Sequence, residues 1–221
     1  MRAVAIVPVK RFAAAKTRLA GTSASAARPE LVEAMLGDVL ASLRRSEALD
    51  AIIVVTGEPA ARTAAEGAGA MVVGDPDDGG HSPAARLGVR AAVSLGASCV
   101  ALLPGDCPLV SAAELDAALA AMAEGVAAVI PDRHGSGTNG LLLAPPDAIE
   151  PAFGPGSRER HLALAREAGV EPRVLEIPSL ALDLDTEADL GELAAQLRAE
   201  PAPAPATAAA LRSIGPFGGE G

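Results

Sequence analysis

The sequence predicts an α/β fold, a mostly parallel central sheet covered by helices on both faces. Two observations point to it. Short, continuously apolar runs recur along the chain, as strands buried on both faces require. Stretches with helical apolar spacing separate them, as crossover connections require. Half of the residues are apolar, enough for a sizeable core in one domain of 221 residues without cross-links.

The elements follow in order. Residues 3–9 are apolar throughout and form the first strand. Leu31, Val32, Met35, Leu36, Val39, Leu40 and Leu43 lie on one face of a helix over 29–45, and Pro29 suits its first turn. A strand is expected over 51–55, a short helix over 58–67, a strand over 70–73, a helix over 84–94 and a strand over 99–103. Ser111 and Glu114 have capping-box spacing and open a helix to about residue 123. Strands are expected over 126–130 and 141–144, a helix capped by Ser157 over 157–168, and a last strand over 174–177. Thr186 with Asp189 opens a final helix to about residue 198. From Pro201 the text becomes Pro-Ala-Pro-Ala-Pro and ends in Gly-Pro-Phe-Gly-Gly-Glu-Gly, without periodicity. The expected organisation is a folded domain over 1–199 and a disordered Pro/Ala/Gly-rich tail over 200–221.

Composition narrows the function. With 18 basic and 28 acidic side chains the net charge is -10, which argues against nucleic acid or a membrane surface as partner. The absence of Trp and Tyr, with only three Phe, leaves no platform for stacking bases. Two Cys and three His are too few for a disulfide framework or a zinc site. The opening apolar run is too short for a signal segment, and no run approaches the ~20 residues of a membrane span. A cytoplasmic location is expected.

Sheets of this kind bind ligands at the carboxyl ends of their strands. The first strand ends in Pro8-Val9-Lys10, and Lys10, Arg11, Lys16 and Arg18 place four cations within nine residues. A polyphosphate needs such a cluster, because fixed cations offset its charge. The glycine patterns of a Walker loop and of a dinucleotide fold are both missing there. A solvated basic loop is the alternative. Asp106, in Gly105-Asp106-Cys107-Pro108, ends a central strand, where a carboxylate needs a cation or metal. Magnesium takes one or two carboxylates plus phosphate oxygens and water. A turn aspartate bonded to its own backbone is the alternative. In Leu182-Asp183-Leu184-Asp185-Thr186 an extended backbone would turn Asp183 and Asp185 to one side, offering the partner carboxylate. Asp185 is equally placed to favour the helix start after it. The loop 132–140 is rich in hydrogen-bonding residues. Residues 153–161 put glycines and Ser157 at a helix start, where backbone N–H groups favour a phosphate or carboxylate; a plain cap is the alternative. Asp75, Asp77 and Asp78 with two glycines form an acidic loop, suited to base recognition or merely to the mobile surface. His81, His134 and His161 read as structural histidines, and Cys107 as packing.

Together, Pro8-Val9-Lys10 with Ala15-Lys16-Thr17-Arg18-Leu19, Gly105-Asp106-x-Pro108, Asp132-Arg133-x-Gly135-x-Gly137-Thr138-Asn139, Phe153-Gly154-Pro155-x-Ser157 and Asp183-x-Asp185-Thr186 form an ordered set. The set resembles the guanylyltransferases of deazaflavin coenzyme F(420) biosynthesis, over about residues 3–197. The resemblance implies a Rossmann-like nucleotidyltransferase fold of the GT-A type. It implies GTP and a small phosphorylated three-carbon acid as substrates, phosphoenolpyruvate first or 2-phospho-L-lactate, with magnesium as cofactor. Carried over by motif, Lys16, Asp106 and Asp183 would be catalytic, and Asp106, Asp183 and Asp185 would bind the metal. Thr138, Gly154 and Ser157 would hold the acid, while Lys10, Lys16, Arg18 and Gly105 would meet the nucleotide. The segment 79–85 departs from the family pattern, lacking the Leu-Asn pair often found before the next helix. The chemistry agrees: a phosphate monoester has a second pKa near ~6, so the nucleophile is already ionised and no general base is needed. Competing readings are a related nucleotidyltransferase acting on a molybdopterin, a sugar phosphate or methylerythritol phosphate, and a GTP-binding regulator without turnover. A homo-oligomer is left open.

Overall fold

Strand β1 (Ala3–Val9) is buried along its whole length because it lies inside the sheet with helices on both sides. The computed structural model describes residues 1–12, 28–184 and 186–214. Among these, β1 joins β2 (Ala51–Thr56), β3 (Met71–Gly74), β4 (Cys99–Leu102), β5 (Val126–Pro131), β6 (Thr138–Ala144) and β7 (Glu171–Val174) in one sheet of order β3-β2-β1-β4-β6-β5-β7. All neighbours are parallel except β6, which runs antiparallel to β4 and β5. The expected mostly parallel sheet, helix-covered on both faces, is the one found.

The alternation of β1 divides the core. Ala3, Ala5, Val7 and Val9 face a layer built from α1 (Arg28–Leu43), α2 (Pro59–Gly67), α4 (Ala112–Ala120), α6 (Glu187–Ala199) and α7 (Pro205–Ile214). Val4 and Ile6 face α3 (His81–Ser94) and α5 (Ser157–Glu167). Helix α3 lies so close to the sheet that a Cβ on Gly88 would sit 2.2 Å from Ile6 Cγ2.

Several local expectations are corrected. The last strand is Glu171–Val174 rather than 174–177. It is an edge strand, only partly buried, so Glu171-Pro172-Arg173 carries little apolar signal, and an edge tolerates proline. Strand β6 begins at Thr138, three residues before the apolar run, which puts Thr138 and Asn139 on the sheet. Helix α5 is capped by Gly156 in the left-handed conformation (φ 69°), and Ser157 is its first helical residue. The Ser111 hydroxyl accepts from Glu114 N (3.4 Å), but the Glu114 carboxylate accepts from Ser179 N (3.1 Å), so that capping box is half made. The Thr186–Asp189 box is complete.

The expected disordered tail contains a helix. Buried Asp38 of α1 accepts from Ala206 N (3.2 Å), Thr207 N (2.7 Å) and Thr207 Oγ1 (2.7 Å). Those bonds satisfy the first amides of α7, and Ala204, Ala208 and Leu211 join the core. The partner that orders this segment lies far back in the chain, where a reading of local composition does not reach.

Candidate active site

Parallel β1 and β4 lie side by side, so Lys10 and Asp106 follow their carboxyl ends at the same edge of the sheet. Antiparallel β6 starts opposite that end, with Leu141 paired to Leu102. Asn139, buried at the start of β6, donates through Nδ2 to Leu180 O (2.8 Å), Ala181 O (3.3 Å) and Asp183 Oδ1 (3.4 Å). Arg133 N donates to Ala181 O (3.1 Å). These bonds hold the segment that carries Asp183 against the end of the sheet. The Asp132 carboxylate accepts from Ser136 N and Gly137 N (3.0 Å each) and shapes the loop before β6. A Cβ on Gly137 would stand 2.4 Å from Asp132 Oδ2, so a side chain there would displace the carboxylate that shapes the loop.

Lys10, Asp106, Asp183, Thr138, Gly154 and Ser157 all line one cavity of about 590 Å³. That volume suits a small-molecule site. Gly105 is not part of the lining. A Cβ there would meet Val9 at 3.3 Å and Leu36 and Val7 at 3.5 Å, so Gly105 packs beneath the turn that presents Asp106. Lys16, Arg18 and Asp185 lie outside the described residues.

The family described as "Guanylyl transferase CofC like" matches residues 3–199. The chain belongs to this family. A protein of Conexibacter woesei named phosphoenolpyruvate guanylyltransferase is 48% identical over 195 residues, covering 87% of each chain. One of the same name from Sphaerobacter thermophilus is 43% identical over 194 residues, covering 88% of this chain and 93% of its own. The solved nucleotidyl transferase from Methanothermobacter shares the fold at a TM-score of 0.65 and 21% identity, covering 90% of this chain and 99% of that one. This guanylyltransferase is therefore an enzyme with a nucleotidyltransferase fold, acting on a nucleotide and a small substrate.

Two histidines join the site of this transferase that their sequence context marks only as structural. His161 is fully buried. Its Nε2 accepts from Ala152 N (2.9 Å) and its Nδ1 lies 3.1 Å from Thr138 Oγ1. Burial, with the neighbouring Arg160 charge, pulls its pKa down to about 4. Half-buried His81, at the start of α3, lines the cavity. Burial lowers its pKa to about 4; the charge of Lys10 adds to this and that of Asp106 opposes it. Phe153 stands edge-on to both rings, with centroids 4.5 Å from His81 and 5.1 Å from His161. Phe153 N also donates to Ser82 Oγ (2.9 Å), tying the start of α3 to the loop before α5. The sequence starts this helix at residue 84, so His81, its first residue in the structure, carries no signal of the site. His161 carries none either, because its partner Thr138 is distant in the chain.

Other expectations settle more simply. Cys107 is buried and directs Sγ toward Leu180 O (3.8 Å), a packing role. Asp75 is buried, and its N donates to Thr56 O (3.2 Å), so the acidic loop is anchored at its first residue. Burial pushes the Asp75 carboxyl above its ordinary range, with Asp78 and Asp77 adding to the effect. No helix among the described residues is long and apolar enough to cross a membrane.

Four carboxylates of the described residues line the cavity, Asp106, Asp132, Asp183 and Asp189. Of these, Asp106 and Asp183 are the ones the motifs single out as oxygen donors for a metal. Asp132 accepts from the amides of its own loop, and Asp189 closes the Thr186 cap. Among the described residues no group of three or more His, Cys, Asp or Glu is gathered for that purpose. Two hard carboxylates fit magnesium, an ion that fills its remaining positions with phosphate oxygens and water. They fit zinc poorly, since it is more often held by Cys and His.

Proposed function

We propose that this guanylyltransferase moves GMP from GTP to the phosphate of a small phosphorylated three-carbon acid, most readily phosphoenolpyruvate, as a cytoplasmic step of deazaflavin coenzyme biosynthesis. One observation carries the reading. A cation, two carboxylates and a hydroxyl-rich anion cradle, from Lys10, Asp106, Asp183, Thr138 and Ser157, line a single cavity. The names of the Conexibacter and Sphaerobacter relatives support phosphoenolpyruvate as acceptor.

In the proposed reaction an oxygen of the acid's phosphate attacks the α-phosphorus of GTP. The bond from that phosphorus to the bridging β-phosphate oxygen breaks, and pyrophosphate leaves. The attacking oxygen is already ionised at neutral pH, so no residue need remove a proton. The barrier is the meeting of two anions. Asp106 and Asp183, with Asp185 as a further candidate ligand, would hold magnesium, which when bound would neutralise charge on the triphosphate. Lys10 adds positive charge beside the cavity, and Lys16 and Arg18 are assigned the same task. The Thr138 and Ser157 hydroxyls and the backbone at the start of α5 hold the acceptor phosphate in line. Both histidines, neutral at pH 7, add no charge to either substrate.

The test is incubation of the protein with magnesium, GTP and, separately, phosphoenolpyruvate, 2-phospho-L-lactate and 3-phosphoglycerate. Pyrophosphate release is followed together with the mass of the guanylylated acid. Phosphoenolpyruvate is expected to react fastest, and a chelator is expected to stop turnover. GTP binding without pyrophosphate release in all three mixtures would overturn the proposal.

A further inference from the structure

We propose that His161 is a positioning residue that fixes the direction of the Thr138 hydroxyl, making it a standing hydrogen-bond donor to the acceptor phosphate. The inference rests on the reading that this end of the cavity holds that phosphate.

A backbone N–H can only donate. Ala152 N–H points to His161 Nε2 at 2.9 Å, so Nε2 carries no hydrogen. The neutral ring therefore bears its hydrogen on Nδ1. That atom lies 3.1 Å from Thr138 Oγ1 and donates to it. The ring cation is disfavoured by the same contact, because a protonated Nε2 would confront an N–H. Full burial acts in the same direction.

The Thr138 oxygen thus accepts from behind, and its own hydrogen is free to point elsewhere. Among the described residues no other group bonds to that hydroxyl, and Thr138 lines the cavity. A phosphate dianion offers only acceptors. A hydroxyl already aimed at it spares the reorientation that a free rotor needs when the substrate arrives. The same ring joins two walls of the site. Through Ala152 it holds the strand-to-helix loop that carries Gly154, and Phe153 packs edge-on against it.

Two substitutions separate direction from bracing. In His161→Gln the longer side chain can still accept from Ala152 N–H at the Nε2 position but loses the donor to Thr138. In His161→Asn the shorter amide can donate to Thr138 from the Nδ1 position but loses Ala152. The Gln variant is expected to raise KM for the acid by about tenfold, the scale of one lost hydrogen bond, with KM for GTP unchanged. The Asn variant is expected to stay within about threefold of the parent. Equal losses in both variants, or a parallel rise in KM for GTP, would assign His161 to bracing alone and overturn the proposal. Thr138→Val, with His161 intact, is expected to reproduce the rise in KM for the acid; an unchanged KM there also overturns it.

Ring ¹⁵N NMR of the unaltered protein at neutral pH gives a readout independent of turnover. A hydrogen on Nδ1 with a bare Nε2 is expected, and the other tautomer or a charged ring overturns the proposal. If no acid is turned over, the reading of the reaction fails by itself. The ring spectrum still decides whether the hydroxyl is aimed by His161.

Discussion

Asp106 and Asp183 come from distant parts of the chain, and the Asn139 amide ties the Asp183 segment to the sheet beside the end of β4. Asn139 is buried at the start of β6, beside the end of β4, and binds the backbone and side chain of 180–183. Asp106→Asn keeps the shape and removes the charge of a proposed metal ligand. Turnover is expected to fall by about two orders of magnitude or more, with the thermal midpoint little changed. Near-normal pyrophosphate release from that folded variant would remove Asp106 from the machinery. Asn139→Ala should act differently, because it leaves the Leu180 carbonyl with only the weak Cys107 thiol as donor in a buried place. A stability loss of about 1–3 kcal/mol is expected in denaturant titrations, together with lower activity. If only activity falls, the tether is not structural.

Helices α3 and α6 each contain a glycine, and the two glycines should respond in opposite ways to alanine. A Cβ on Gly88 of α3 would press into Ile6 Cγ2 at 2.2 Å and Val55 Cγ2 at 3.1 Å, inside the packed sheet face. Overpacking there is expected to lower stability by about 1–3 kcal/mol despite the better helix propensity of alanine. A Cβ on Gly191 of α6 would have nothing within 4 Å, so Gly191→Ala should raise stability by up to about 1 kcal/mol. Denaturation midpoints of the pair decide it; a loss at both sites would mean that α6 has no room for the added methyl group. A single carboxylate accepts from the first amides of helix α7. Asp38→Ala strips the Ala206 and Thr207 amides of their acceptor and should loosen α7 from α1. Faster hydrogen exchange confined to 205–214 is the expected signature.

Acid should weaken the fold through its two buried or half-buried site histidines. In the unfolded chain both would take up protons near 6.5, while in the folded state their values lie at about 4. Between those values the unfolded state binds more protons, so stability falls as pH drops from 6.5 to 4 and levels below. Asp75, raised above 3.8 by burial, acts in the opposite sense at the acid end of that range. Denaturant midpoints measured across this interval should show the decline, and His161→Gln should flatten it. A midpoint independent of pH there would show that neither ring is buried neutral.

Periodicity alone announced the layered sheet, because a strand covered on both faces must be apolar along its length. Where burial is partial, as in β7, or supplied from afar, as for α7 on Asp38, that announcement fails for lack of a local signature. The candidate site divides in the same way. Asp106, Asp183 and Ser157 stand out as polar groups beside strand ends and helix starts, which short-range chemistry makes visible, whereas Thr138 is reached only through the family resemblance. Their common cavity, the tether from Asn139 and the pairing of His161 with Thr138 arise from strand order, and above all from the antiparallel insertion of β6 between β4 and β5. Hydrogen bonds between residues so distant in the chain form only once the sheet has closed, so no spacing along the chain encodes them.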